Sequence, residues 1–206
     1  MYQTEWNQIA EDVDFNLEID LTRFRKEVPY EHRVLDFGCG YGRISNILRG
    51  AGYTNIVGID SSSSMIERGK REFPEFTLQV LSGDKLPFPD HSFDAVVACA
   101  VFTCITDHEI RLIQIKELCR ILRPDGVFHM VEFSSESNKL FISTIGVPML
   151  HSTQKKLREL LGALQILSDE IIETDTMGGY AANSYRVFAR QSLSKSSNKD
   201  ALKRLL

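Results

Sequence analysis

Apolar and polar positions alternate along the chain between short apolar runs and longer stretches with helical spacing. An apolar run at 33–37 is followed by a helical pattern over 44–49 that closes at Gly50 and Gly52. A second run at 55–59 precedes a helix that a Ser64-x-x-Glu67 capping box would open. That helix stops near Phe73, ahead of Pro74. Runs at 76–81 and 93–99 come next, the latter apolar on both faces as a central parallel strand should be. A Thr106-x-x-Glu109 box heads a helix with Ile110, Ile113, Leu118 and Leu122 on one face. Pro124-Asp125-Gly126 then turns the chain into a run at 127–133. Strands separated by helices predict parallel βαβ units with right-handed crossovers, a doubly wound α/β architecture. Ligands in such sheets bind beyond the carboxyl ends of the strands.

The flanks are less regular. Trp6, Ile9, Val13, Phe15 and Leu17 form an imperfect helical stripe, continued by Ile19, Leu21 and Phe24, which predicts one or two helices within 1–31. The stretch 134–149 reads as irregular, with Gly146 and Pro148 as breakers. Ser152 would cap a helix over 153–161, closed by Gly162, and two final strands are expected at 164–172 and 184–189. The Ser- and Lys-rich stretch 192–206 reads as a frayed tail, which leaves 1–191 as a single domain.

Composition narrows the function classes. A net charge of −4 argues against a broad electrostatic grip on nucleic acid. The longest apolar run, Ala95 to Phe102, is too short to span a bilayer. The N-terminus has no basic segment followed by an apolar one, so a secretory signal is not expected and a cytoplasmic location is. The four cysteines show neither C-x-x-C nor zinc spacing. Cys99, Cys104 and Cys119 read as small buried hydrophobes, and neither a metal nor a structural disulfide is expected.

The candidate chemistry lies at the predicted ligand edge. After the first apolar run come Asp36-Phe37-Gly38-Cys39-Gly40-Tyr41-Gly42-Arg43. Glycines at every second position allow positive φ and bring backbone N–H groups close to a ligand. The spacing is not the G-x-G-x-x-G of a dinucleotide site, and Arg43 would crowd the approach to a pyrophosphate. Asp60 ends the second strand, 18 residues after Gly42. A carboxylate there suits the paired donors of a ribose diol. The rival role is capping the next helix, for which several nearby serines also serve.

Strand, acid and G-x-G-x-G together resemble the first motif of class I S-adenosylmethionine (SAM)-dependent methyltransferases. Leu81–Asp94 resembles the segment of that family that meets adenine, and Glu117–Gly126 resembles its helix-to-strand corner. The resemblance covers about 33–133. It implies a Rossmann-like methyltransferase fold, in which the helix and two strands after 150 complete a seven-stranded, mostly parallel sheet with an antiparallel last strand. It implies SAM as cofactor, S-adenosylhomocysteine (SAH) as product, and displacement of the methyl group onto a nucleophilic acceptor. The cofactor positions implied are Asp36, Gly38, Cys39, Gly40, Gly42, Asp60, Ser61, Met65, Ser82, Gly83, Asp84 and Ala98.

Several assignments stay open. Asp84 lies about two residues closer to Leu86-Pro87-Phe88 than the family's acid does, so either Asp84 or Ser82 with neighbouring backbone would read adenine. Asp36 meets the cofactor's amino group or organises the turn, and Met65 lies on adenine or in the core. Phe102-Thr103-Cys104-Ile105 stands where many members carry a Leu-His-His-Ile-like sequence, so both usual histidines are absent. The remaining catalytic candidates are His108, Glu132 and Tyr180. No Asn-Pro-Pro-Tyr-like motif is present, which favours a small-molecule acceptor over a nucleobase or glutamine amide. The alternatives are a non-catalytic SAM- or SAH-binding protein on the same fold and an NAD-dependent oxidoreductase. Acceptor-side groups are expected from the N-terminal helices, the 99–108 turn, the region after Glu132 and the Gly178-Gly179-Tyr180 loop.

Overall fold

The structure, a computed structural model, describes residues 3–192. The tail expected at 192–206 lies, apart from Ser192, outside the described residues. A seven-stranded sheet forms the centre. Its strands are β1 (Val34–Phe37), β2 (Ile56–Asp60), β3 (Thr77–Val80), β4 (Phe93–Cys99), β5 (Leu122–Ser134), β8 (Gln165–Asp175) and β9 (Ala181–Arg190), in the order β3-β2-β1-β4-β5-β9-β8. β9 pairs antiparallel with both β5 and β8, so it alone runs against the others. The switch point falls between β1 and β4, which pair in parallel with Val34 opposite Ala95 and Phe37 opposite Ala98. Chain order reverses on either side of that pair, which opens a crevice at the carboxyl edge.

Helices cover both faces. α2 (Leu21–Glu27) and α3 (Arg43–Gly50) pack with Ala95 and Val97 of β4. α5 (His108–Ile121) and α6 (Gln154–Leu160) pack with Val96 and Ala98. β4 is thus buried on both sides over Ala95–Ala98, as its apolar run from Ala95 predicts. Each such fully buried Val, Leu or Ile side chain stabilises the fold by about 1.5–3 kcal/mol.

Local details depart from the sequence reading in physically clear ways. The N-terminal stripe yields two helices, within the one or two expected, and both are short. α1 spans only Gln3–Gln8, and 9–20 run without regular structure to α2. This strap is held by distant polar groups: Arg68 donates to the carbonyls of Ala10 and Val13 and pairs with Asp14 at 3.0 Å. Ser62, not Ser64, caps α4 (Ser63–Glu72), its Oγ accepting from Met65 N. Asp107, not Thr106, caps α5 through Ile110 N. Thr153, not Ser152, caps α6. On α5 the inward face is Leu112, Ile115, Leu118 and Cys119, and Ile113 is exposed. The stretch 134–149 is also more ordered than expected. β6 (Lys139–Ile142) pairs antiparallel with β7 (Pro148–His151) as an arm beside the sheet, with Gly146 in its turn. No helix among the described residues is long and apolar enough to cross a membrane.

Candidate functional site

The crevice at the carboxyl edge is a single cleft that runs from Asp60 past the glycine turn to the end of β5. One half is built by β1, β2 and the turn between β1 and α3. Gly38, Gly40 and Gly42 have φ of 68°, 55° and 94°, the left-handed region open to glycine. The space for side chains is also gone. A Cβ on Gly38 would meet Val101 at 2.5 Å, and one on Gly40 would meet the Phe15 ring at 3.0 Å.

The turn differs from expectation in one respect that decides its chemistry. The N–H groups of its three glycines and of Cys39 do not face the cleft. Gly38 N and Cys39 N donate to the Ile59 carbonyl, Gly42 N to the Cys39 carbonyl, and Gly40 N to Asp60 Oδ2 at 2.9 Å. A phosphate cradle needs such donors free. Here they are spent inside the protein.

Asp60 is therefore both scaffold and edge. Its Oδ2 accepts from Gly40 N and its Oδ1 from Ser62 N at 2.8 Å. An ionised carboxylate has about four acceptor positions, so each oxygen keeps capacity for a further donor. Burial pushes the Asp60 carboxyl above the usual carboxylate range, against the pull of the Ser62, Gly40 and Ser61 backbone bonds. Asp60, Ser61, Met65, Ile59 and Leu81 line this half together with Gly38, Cys39 and Gly40. Paired acceptor capacity beside an apolar slot fits a ribose diol and a purine, and so fits the SAM nucleoside.

The other implied cofactor positions lie elsewhere. Asp36 is buried behind the turn, and its Oδ2 accepts from Ser45 N at 2.9 Å and Ser45 Oγ at 2.7 Å. Burial raises its pKa to about 6. Gly42 caps the start of α3, and Ala98 is covered within β4. Ser82, Gly83 and Asp84 are exposed beyond Leu81, outside the cleft lining, and the Asp84 carbonyl accepts from Gln114.

The second half of the cleft draws on three of the four segments named for the acceptor side, and on Met177 next to the fourth, whose Gly178, Gly179 and Tyr180 stay outside the lining. Trp6, Phe15, Asn16 and Leu17 come from the N-terminal helix and strap. Cys99, Ala100, Val101, Thr103, Cys104 and Ile105 come from the turn after β4. Phe133 and Met149 come from β5 and the arm, and Met177 from the β8–β9 hairpin. Sequence reading missed Arg43, Phe15, Phe133, Met149 and Met177 individually. Their periodicity carries no signal, because long-range closure alone brings them together.

The three catalytic candidates are not in the lining. His108 opens α5 and faces a second cavity with Arg111 and Lys156. Tyr180 is 68% exposed at the hairpin tip. Glu132 is fully buried and builds the 101–103 turn. Its Oε1 accepts from Val101 N and Phe102 N, both at 2.9 Å, and its Oε2 from Thr103 N at 2.7 Å and Thr103 Oγ1 at 2.8 Å. Arg111 holds the same turn from the other side, donating to the Phe102 and Ile105 carbonyls and to Ser152 Oγ. The cleft thiols are inert as bases. Burial pushes Cys99 up to about 12 and drives Cys39 and Cys104 well above their ordinary values. Among the described residues no cluster of three or more His, Cys, Asp or Glu could hold a metal ion.

The known proteins to which this chain is similar are methyltransferases. A family model described as a methyltransferase domain matches residues 35–130. An uncharacterized methyltransferase of Synechocystis is 31% identical over 121 residues, which are 57% of this chain and 54% of that protein. A demethylmenaquinone methyltransferase of Thermotoga maritima is 32% identical over 131 residues, 60% of this chain and 56% of that protein. The chain thus spans about half the length of these two curated relatives. The crystal structure of a SAM-dependent methyltransferase from Methanosarcina mazei superposes with a TM-score of 0.77 at 25% identity, covering 84% of this chain and 98% of that one.

Proposed function

We propose that this chain, a member of the class I SAM-dependent methyltransferase family, moves a methyl group from SAM to a small-molecule acceptor. The observation that carries the reading is the inward-facing glycine turn beside Asp60. A site with its N–H groups spent and a carboxylate at its edge suits a nucleoside without phosphates. It does not suit a pyrophosphate cofactor.

When bound, SAM supplies a methyl group already activated on a cationic sulfur. The protein's work is then alignment and exclusion of water. Asp60 accepts from the ribose hydroxyls, while Met65 and Leu81 give apolar contact to the base. Phe15, stacked on Tyr41 with ring centroids 5.7 Å apart, closes the strap over Gly40 and keeps water out. Glu132 and Arg111 fix the 101–105 turn, a wall of the second half. Gly38, Cys39 and Ser61 complete the cofactor contacts, and Asp36 acts through Ser45 on the turn.

Phe133, Met149 and Met177 give the acceptor side a largely apolar surface. The Thermotoga relative's name gives demethylmenaquinone as its acceptor, which supports a small apolar molecule here by likeness. We read 1–191 as one catalytic domain acting in the cytoplasm, without a nucleic-acid partner.

Calorimetry tests the cofactor. SAH should bind, NAD should not, and Gly40→Val should lose SAH while its circular dichroism stays native. A wild-type protein that ignores SAH at millimolar concentration, or that binds NAD, sinks the reading.

A further inference from the structure

Four of the eight large hydrophobic side chains exposed among the described residues lie on two hairpins. Leu140 and Ile142, each 66% exposed, belong to the β6–β7 arm, and Met177 and Tyr180 to the β8–β9 turn. β5 and β8 both run antiparallel to β9, so they end at the same edge of the sheet. The arm follows β5 and the turn follows β8. Both therefore leave the carboxyl edge, where the cleft lies, from roots about 10 Å apart. Within the arm Phe141 pairs with Met149, which lines the cleft. Leu140 and Ile142 alternate with Phe141 and take the opposite face. Ile145, in the arm's turn, packs toward Trp6, Ile9 and Phe15, which leaves that face outward. Charge is missing from both hairpins. No Asp, Glu, Lys or Arg occurs in 140–154 or in 176–185, in a chain that is 25% charged. Burial and the nearby Lys139 lower the pKa of His151, so its imidazole adds no charge at neutral pH. The roots carry Glu136 and Lys139 on the arm and Asp175 on the hairpin, which is no basic collar. Lys155 and Lys156, further on, pair with Glu159.

We propose that the two hairpins form a lipid-docking surface, which seats the cleft against a membrane without crossing it. Exposed apolar patches mark contacts with proteins or membranes. A protein interface surrounds its apolar centre with a polar rim, and these hairpins offer little of one. A protein laid over both tips would also cover the cleft. A bilayer surface asks only for apolar side chains that enter shallowly, as Leu140 and Ile142 can. Tyr180, an apolar ring with one polar end, suits the headgroup level. Met177 belongs to both surfaces, since it lines the cleft and is 38% exposed. Through it the outer apolar surface meets the acceptor side. That an apolar acceptor enters from the lipid rests on the function proposed above, whereas the docking itself does not. Without a basic collar the attachment is hydrophobic, so it needs no anionic lipid and resists salt.

Flotation with phosphatidylcholine vesicles tests the surface, with thermal melts to show that every protein is folded. Wild type should float with the vesicles at low and at high salt. The double change Leu140→Asp with Ile142→Asp, and separately Tyr180→Asp, should each lower the partition coefficient about tenfold or more. Tyr180→Trp should keep it. A wild type that stays in solution at millimolar lipid, or Asp variants that float as well as wild type, overturns the proposal. Binding that appears only with phosphatidylglycerol and vanishes in high salt overturns it too, because that is electrostatic adsorption. So does a lipid-free dimer, seen by sedimentation, that the double change turns into monomer, because the surface then belongs to a second copy. SAH calorimetry keeps the two readings apart. The double variant should bind SAH as wild type does. A wild type that floats yet ignores SAH keeps the docking surface and loses the proposed function.

Discussion

Glu132→Gln should destabilise the protein by about 2–4 kcal/mol, a large loss for a one-atom change. The carboxylate accepts three backbone N–H groups and one hydroxyl from residues 101–103. A glutamine carbonyl can keep Val101 N and Phe102 N. Its amide then points two hydrogens at Thr103 N, donor against donor. The Thr103 hydroxyl can rotate to accept, but the Thr103 N–H is stranded. An unsatisfied buried donor costs about 1–3 kcal/mol, and the bonds that survive lose their charge assistance. Arg111 also loses a nearby opposing charge at a buried position. Urea unfolding at neutral pH gives the number from the shift in midpoint at constant slope. Thr103→Val, which deletes only the hydroxyl bond, should cost about 1 kcal/mol and serves as the inner control. A Glu132→Gln loss under about 0.5 kcal/mol would refute the claim that this carboxylate holds the turn.

Two further outcomes are expected. Asp60→Ala should weaken SAH by about 1–3 kcal/mol, the worth of charged hydrogen bonds, and calorimetry showing unchanged affinity would remove the ribose assignment. His129 is fully buried, stacked on Phe188, with Asp20 N donating to its Nε2 and its Nδ1 bonded to the Val187 carbonyl. Burial lowers its pKa from 6.5 to about 4. Between those values the unfolded chain takes up a proton that the folded chain refuses. Stability therefore falls as pH drops through that window, by about 3 kcal/mol from this group. Asp36, raised to about 6, acts in the opposite sense, but it is common to both chains in a comparison of wild type with His129→Gln. The wild-type advantage over that variant should shrink from pH 7 to pH 4.5. A gap independent of pH in urea titrations would show that His129 does not titrate in this way.

The sheet was legible because its signal is local. The run at 93–99 is β4 to the residue, since a strand buried on both faces is apolar through its centre, here Ala95 to Ala98, with Asp94 spent on Arg33 N and Arg123 at its start. Helix starts were harder where capping residues cluster. Ser61 to Ser64 all can cap, and the path of the chain out of β2 chooses Ser62. Two helices lie within 1–31 as expected, but the stripe does not show the strap between them, because Ile9 and Val13 keep helical spacing from Trp6 while Arg68 claims the carbonyls that a helix would use. The cleft was half legible. Glycines and an acid at the end of strand 2 can be read from spacing. Phe15, Arg43, Met149 and Met177 meet only through the closed fold, and the inward turn of the glycine N–H groups is a matter of backbone direction that residue types do not carry.

The strap sets a clock. Besides its apolar packing, it and the α1 helix before it are pinned by discrete polar links: Gln3 to the Ser61 carbonyl and Asn7 to Ser62 and Ser64 from α1, and Arg68 to Ala10 and Val13 and Arg43 to Leu17 on the strap. A guest beneath it departs no faster than these links let go together. Loosening a single pin should then quicken a ligand's departure more than it weakens the equilibrium grip.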